Sequence, residues 1–576
     1  MKSRNDFYTL IARVFRKQVR PVRGRCCKNF DSHSASKNVE NGISAIQKSY
    51  EMVASSSAVH EMPVDPVNSF LGMIRYLFAS RLGTKLHEYV DQRHKDLGPI
   101  YRSHAGSTSA VFINSPEEYR KIFFQLEGPT PKHFIPEAWI IYNKEHSKNS
   151  RGLFFMEGEE WLHFRRILNK LLLKVNSIDF MIEPCGKVAK DLATTMLSFA
   201  KAEMAVPNLK LQIYDYSLQA ILATLIGSTW ITHKTQILRE ADDLAVFMYK
   251  IFKYSSRLNV ISAKKAKEAN FLWWNQFSRT LDDVLKKVMN VLLLMTRLDG
   301  DGLLKNMIDA GIKNEDLIRI VADLIIAAGD TTTSSTQWAL YLLSIHPEIQ
   351  ERLHENVKDK KHKQALLDPL TIGILKETLR LYPTAPFLTR YIPVDAQIGG
   401  YQVSKEMNLA LFLLLLLSAV EAEVSTNDLD GVIIYSEELG QANLYHESWN
   451  FILGEILLMS LYSSGRDPTN FIKPDQFQPE RWTRLENGSY KGVLHPAATI
   501  PFAIGLRSCI GKKLAEVKIN LALIEHVYQQ HLRGAKVREF LNCELKAIMT
   551  DQLVCLDRLA LLTTRLKSRR FFGQQS

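Results

Sequence analysis

Residues 501–511 read Pro-Phe-Ala-Ile-Gly-Leu-Arg-Ser-Cys-Ile-Gly and lead into an amphipathic, helix-like stretch, 512–530. A cysteine in that setting can serve as an anionic ligand. Phe502 offers a ring to cover the sulfur, Gly505 permits a tight turn, and Cys509 lies just ahead of helical N–H groups that favour a thiolate. Taken alone, a cysteine there is more often a small buried hydrophobe. A second cluster, Ala-Ala-Gly-Asp-Thr-Thr-Thr at 327–333, interrupts the long apolar run from Asp323 to Leu343. An acid beside a hydroxyl is costly in a buried helix unless it handles protons, which makes Asp330 and Thr331 candidates for proton delivery. The bland alternative is threonine hydroxyls bonded back to helix carbonyls.

Other charged residues fall at spacings that can lock elements together. Glu377 and Arg380, in Lys-Glu-Thr-Leu-Arg, lie one helical turn apart, and Pro479-Glu-Arg-Trp482 supplies Arg481. Singly, such a pair is usually a solvated ion pair. The elements expected to carry these groups are mostly helical. Residues 151–348 hold several long helical patterns, and shorter strand-like stretches, Ala110 to Ile113 and Ala396 to Val403, flank them.

With Phe502, Gly505, Arg507, Cys509 and Gly511 in register, the ligand loop resembles the FxxGxRxCxG signature of the cytochrome P-450 family. The resemblance runs from about Gly98 to Leu545 and implies a mainly α fold with a small β-rich lobe, a triangular helical prism around haem b held by the Cys509 thiolate. It implies further that Asp330 and Thr331 are the acid–alcohol pair and that Glu377, Arg380 and Arg481 form a structural triad. Arg507 would meet a haem propionate, as would Trp161 and Arg165 in Gly158-Glu-Glu-Trp-Leu-His-Phe-Arg165. His495, in the His-Pro lead-in to the loop, is a further propionate candidate. The apolar wall near Ala327 and Pro386 to Leu388 would face substrate. The family usually has glycine where Ala328 stands, and here glycine follows at 329.

The run Gly511-Lys512-Lys513-Leu-Ala-Glu516 is similar to that of the mitochondrial class, which takes electrons from an acidic ferredoxin supplied by ferredoxin reductase and NADPH. Lys376, Lys512 and Lys513 are thereby expected to dock the ferredoxin; Ile372 stands where a further lysine is common. That class oxidises sterols and steroids. The run Asp-Leu-Ile-Ile-Ala-Ala-Gly-Asp-Thr-Thr resembles the arthropod ecdysteroid 2-hydroxylases, with other sterol or secosteroid hydroxylases left open. A haem binder without turnover, or a family isomerase or lyase, are further readings; the intact acid–alcohol pair argues against the last.

Composition agrees with a globular protein. In 576 residues, 46% hydrophobic and 23% charged side chains can bury a large core. Six cysteines (Cys26, Cys27, Cys185, Cys509, Cys543, Cys555) show neither CxxC pairs nor a secreted-scaffold density, which fits a reducing compartment. The first thirty residues carry nine cations and one acid, with Phe7, Leu10, Ile11, Val14 and Phe15 at helical spacing, the pattern of a mitochondrial transit peptide. A basic tail or nucleic-acid arm is the alternative, but removing those nine cations and one anion lowers the net charge from +12 to +4, and no nucleic-acid partner is expected. The expected organisation is a presequence at 1–40, a linker at 41–65, the haem domain at 66–565 and a tail at 566–576, on the matrix side of the inner membrane with peripheral contact. Residues 407–455 form an insertion longer than ordinary loops, opening with the greasy run Leu409 to Leu417, and are expected to be a retained intron or gene-model error.

Overall fold

The computed structural model describes residues 61–65, 80, 85–105, 108–146, 152–174, 179–202, 204, 206–258, 262–405, 407–408, 452–453 and 455–531. The expected presequence, the tail and most of the insertion lie outside the described residues. The chain divides into two units, residues 1–59 with 407–452 and residues 60–406 with 453–576. In the first unit the described residues are a two-residue strand, Met407–Asn408, and Ile452. The account below concerns the second.

In chain order its elements are α1 (Leu86–Leu97), β1 (Ile100–Ala105), β2 (Thr108–Ile113), α2 (Pro116–Lys121), α3 (Glu137–His146), α4 (Gly158–Leu172), α5 (Asp179–Lys201), α6 (Leu209–Ile226), α7 (Trp230–Glu240), α8 (Leu244–Leu258), α9 (Ala263–Glu268), α10 (Leu272–Met295), α11 (Leu303–Asp309), α12 (Asn314–Ile345), α13 (Pro347–Val357), α14 (His362–Ala365), α15 (Pro369–Leu381), β3 (Phe387–Arg390), β4 (Ala396–Ile398), β5 (Tyr401–Val403), β6 (Glu455–Ser460), α16 (Leu461–Arg466) and α17 (Lys512–His531). The architecture is mainly α with a small sheet region, as the resemblance implied.

One large apolar core is built where α5, α6, α12 and α17 pack together. Helices α6 and α17 are buried along most of their lengths; α6 is apolar on nearly every side, whereas α17 also buries Lys518, Asn520, Glu525, His526, Gln529 and Gln530. Among the described residues, no helix is long and apolar enough to cross a membrane.

A second cluster lies under a four-stranded sheet of order β1-β2-β6-β3. Strands β1 and β2 pair antiparallel, β2 and β6 run parallel with Ser109 opposite Glu455, and β3 pairs antiparallel with β6. The stretch Ala396 to Val403, which reads as one strand by pattern, is a hairpin. Gly399 and Gly400 both have positive φ, +56° and +85°, so the two-residue turn folds β5 back on β4 with Ile398 opposite Tyr401.

Strand β6 stays whole beside the insertion. The Glu455 N–H lies 3.5 Å from the Ser404 carbonyl, and the Ser404 N–H donates to Glu455 Oε2 at 3.1 Å. The same carboxylate accepts from both Nε and Nη2 of Arg102 on β1 and from Ser109 Oγ at 2.8 Å on β2. Glu455, counted above as the last inserted residue, is therefore part of the sheet, and the chain leaves and re-enters this unit at adjacent points.

Candidate active site

The platform below the site is a buried ion network. Asp368 caps α15, accepting from the Leu370 and Thr371 N–H groups, and Pro369 takes the first helical position, where a missing N–H costs nothing. The helix then presents Glu377 and Arg380 inward, both fully buried. Arg380 grips both Glu377 oxygens at 2.7 and 2.8 Å; Arg481 Nε, Trp482 Nε1 and the Gln478 N–H complete the carboxylate's shell at 2.8, 3.0 and 3.0 Å. The remaining guanidinium donors meet carbonyls of the segment 465–492, among them Gly465, Pro474, Ile472 and Gly492. Gly373 allows the approach, since a Cβ there would lie 2.5 Å from the Pro479 carbonyl oxygen.

The Cys509 loop is held by backbone strain and hydrogen bonds. Ala503 and Gly505 have positive φ, and a Cβ on Gly505 would stand 2.5 Å from Glu127 Oε1. The Cys509 N–H donates to the Phe502 carbonyl at 2.8 Å, closing the loop under the Phe502 ring, over which Lys512 Nζ sits 6.0 Å from the centroid. Cys509 is accessible at its surface, yet burial pushes its thiol pKa up, while the Gly511 N–H and the Arg165 charge oppose the shift. Accessible sulfur in a desolvating setting places Cys509 on an enclosed wall. Cys185, the other described cysteine, is buried on α5 against Ala220 and Thr224.

Beside this loop gathers an excess of positive charge. Arg507 lies 4.6 Å over the Trp161 ring, donates to His133 Nδ1 at 2.9 Å and bonds the Met156 carbonyl. Arg165 holds the Ser508 carbonyl and hydroxyl at 2.6 and 3.1 Å. Arg390, at the end of β3, pairs with Glu127 at 2.7 Å, and Glu127 also accepts from the Leu506 N–H. Burial lowers Arg165 and Arg507 to about 10 and His133 to about 3. In this group of three arginines Glu127 is the acid in contact among the described residues, and Arg165 Nε, Arg507 Nε, Arg390 Nη2 and His133 Nε2 are buried donors without partners among them. Unpaired buried donors in a cationic pocket fit an anionic guest, and an iron macrocycle with two carboxylates would find here both the donors for its carboxylates and a cysteine for its iron. His133, Arg390 and Glu127 carry no sequence motif, because each sits alone in a loop or at a strand end and joins the others only through the fold.

On α12, Ala327 and Thr331 are exposed one turn apart, although residues on both sides along the helix are buried, so they line an interior space. Thr331 Oγ1 donates to the Ala327 carbonyl at 2.7 Å, the back-bonding expected of a threonine in a helix. Asp330 instead accepts a hydrogen bond from Tyr214 of α6. The helix is continuous through Gly329, whose missing Cβ would stand 2.2 Å from Met248 Cε of α8; Gly329 serves helix packing. Ser335 on α12 bonds Thr384, just before Pro386 to Leu388, at 2.8 Å.

The expected docking lysines share a neighbourhood, since Lys376, Lys512 and Lys513 all act on Glu516, whose carboxyl pKa burial nevertheless raises. Lys376 is partly engaged, 5.0 and 5.3 Å from the Tyr490 and Trp482 ring centroids, and Lys513 bonds the Lys174 carbonyl. His495 is not brought into the arginine cluster by its described contacts. It lies half-exposed, 3.6 Å from Glu117.

The model of the cytochrome P450 family matches residues 66–419 and 451–530, leaving 420–450 unmatched. The chain belongs to the cytochrome P450 family. This P450 is 34% identical to "Cytochrome P450 315a1, mitochondrial" of Drosophila melanogaster, over 79% of each chain. It is also similar to the mitochondrial sterol 26-hydroxylase of Mus musculus, 26% identical over 74% of this chain and 75% of that one. The mitochondrial cholesterol side-chain cleavage enzyme of Oncorhynchus mykiss is 24% identical, over 83% and 85%. The chain is thus a P450 monooxygenase, in a family that binds haem b through a cysteine thiolate.

Proposed function

We propose that this P450 hydroxylates an ecdysteroid precursor, at the 2-position, in the mitochondrial matrix with electrons from a ferredoxin. What carries the reading is the similarity to the mitochondrial Drosophila protein together with the 323–332 run on α12. The basic, acid-poor first thirty residues support the compartment.

Bound haem supplies the oxygen-activating chemistry. Cys509 would hold the iron, with Phe502 covering the sulfur. Trp161, Arg165 and Arg507 would hold the propionates, with His133 and Arg390 as additional donors. Thr331 and Asp330 deliver protons from α12. Ala327 and Pro386 to Leu388 give the substrate an apolar wall, and the Glu377–Arg380–Arg481 network holds the segment that precedes the ligand loop against α15. Lys376, Lys512 and Lys513 form the cationic face for an acidic ferredoxin.

The test of substrate class is turnover of 2-deoxyecdysteroids with NADPH, ferredoxin reductase and ferredoxin. A 2-hydroxylated product is expected; the absence of both product and a steroid-induced haem spectral shift overturns the substrate. For the partner, reversing Lys376, Lys512 and Lys513 to glutamate is expected to raise the KM for ferredoxin by roughly tenfold or more, with the steroid-induced spectral shift retained. An unchanged KM removes these lysines from the interface.

A further inference from the structure

The acid of the proton-delivering pair is not left to itself. Tyr214, buried on α6, donates its hydroxyl hydrogen to Asp330 Oδ1. Its ring meets Tyr249 of α8 edge-on at 5.7 Å, and Lys210 and Lys253 place their ammonium groups 5.0 and 5.9 Å from the centre of Tyr249. Lys210 also feels the Asp330 charge. Met248, the neighbour of Tyr249, fills the space beside Gly329. Three helices therefore converge on one carboxylate, and two lysines mark the way from it to the surface, Lys253 being exposed and Lys210 half-buried.

A buried tyrosine needs an acceptor for its hydroxyl, and a carbonyl would do. Here the acceptor is the acid next to Thr331. Burial, and then the Asp330 charge, push the Tyr214 hydroxyl pKa far up, so it remains a donor.

We propose that Tyr214 is a positioning residue for proton delivery: it fixes Asp330 through Oδ1, leaving Oδ2 to take up and release protons that enter between α6 and α8 past Lys210. The proposal rests on the monooxygenase role of Asp330. In productive turnover, a substrate C–H bond and dioxygen, with two electrons and two protons, give one hydroxylated product and one water. When proton delivery is misdirected, the same two electrons and two protons leave as hydrogen peroxide.

The experiment uses the full-length holoenzyme with NADPH, reductase and ferredoxin, with and without a 2-deoxyecdysteroid. Tyr214→Phe keeps the ring and removes the hydroxyl. Its reduced, carbon-monoxide-bound spectrum is expected to match the parent. The share of NADPH electrons recovered as peroxide is expected to rise severalfold, and product formation to fall by roughly tenfold, the change set by one hydrogen bond to a charged group. The solvent deuterium isotope effect on NADPH oxidation is expected to change with it. Independently of turnover, 3-fluorotyrosine at position 214 is expected to shift its fluorine resonance when Asp330→Asn is introduced.

An unchanged peroxide share and isotope effect in Tyr214→Phe overturns the proposal. So does a fluorine resonance indifferent to Asp330→Asn, which also decides the matter if Tyr214→Phe fails to take up haem. Failure to hydroxylate the steroid by the parent enzyme counts against the substrate class alone, because peroxide release and the fluorine shift are read without it.

Discussion

Glu377 is fully buried and accepts five hydrogen bonds, and two arginines depend on it for their charge balance. Replacing it by glutamine keeps the shape but strips the charge, leaving Arg380 and Arg481 buried and uncompensated. Breaking a buried pair in this way costs about 3 to 5 kcal/mol. Glu377→Gln is accordingly expected to lower the free energy of unfolding by that amount, read as a lower urea midpoint, and to lose the thiolate-type carbon-monoxide spectrum; retention of both would show that the network does not support the segment leading into the ligand loop. The pair Glu377 and Arg380 was visible in the sequence as a spacing. Its burial was not, because one turn of helix looks the same on a solvated face as in a core.

At the scale of elements, α15 carries that network, and its start is set by Asp368. Burial raises the Asp368 pKa, but hydrogen bonds from Lys360, Asn356 and the Thr371 N–H outweigh it and hold the carboxyl below its ordinary value of 3.8. A carboxylate with a depressed folded pKa contributes stability that is present above the unfolded value and lost as pH falls through the folded one. Asp368→Ala is expected to cost about 1 to 2 kcal/mol near neutral pH, the usual worth of a helix cap. The gap between variant and parent is expected to narrow as pH drops below 3.8, read by denaturant unfolding across the acid range. A gap independent of pH would remove the ionised carboxylate from the account. Helix α12 offers the complementary case. Its apolar length and polar interruption were legible, whereas the use of Gly329 as a seat for Met248 came only with α8 in place, since no local pattern says which helix will cross at that point.

For the whole molecule, the insertion is the anomaly, and the clasp between Ser404 and Glu455 indicates that the catalytic unit closes without it. Removing residues 407–452 leaves a short turn between partners already hydrogen-bonded. Closing a loop roughly tenfold shorter relieves about 2 kcal/mol of chain entropy. The truncated protein is expected to match or exceed the parent's thermal midpoint and to show the same carbon-monoxide spectrum. Loss of haem binding on truncation would make the insertion an integral part of the enzyme.

The family, the mainly helical class and the haem were readable in the sequence, because the loop from Phe502 to Gly511, the Asp330–Thr331 pair and the Glu377–Arg380 spacing are each short local patterns. The strand-like 396–403 is strand on both sides of Gly399-Gly400, whose left-handed turn makes it a hairpin. The arginine cluster belongs to the tertiary structure. Arg165, Arg390 and Arg507 come from a helix, a strand end and a loop, and His133 and Glu127 join them from elsewhere in sequence. The same holds for Tyr214 and Asp330, which stand 116 positions apart along the chain. Charge balance and proton routes depend on which elements end up within a few ångströms of one another, and burial then decides which of those contacts matter.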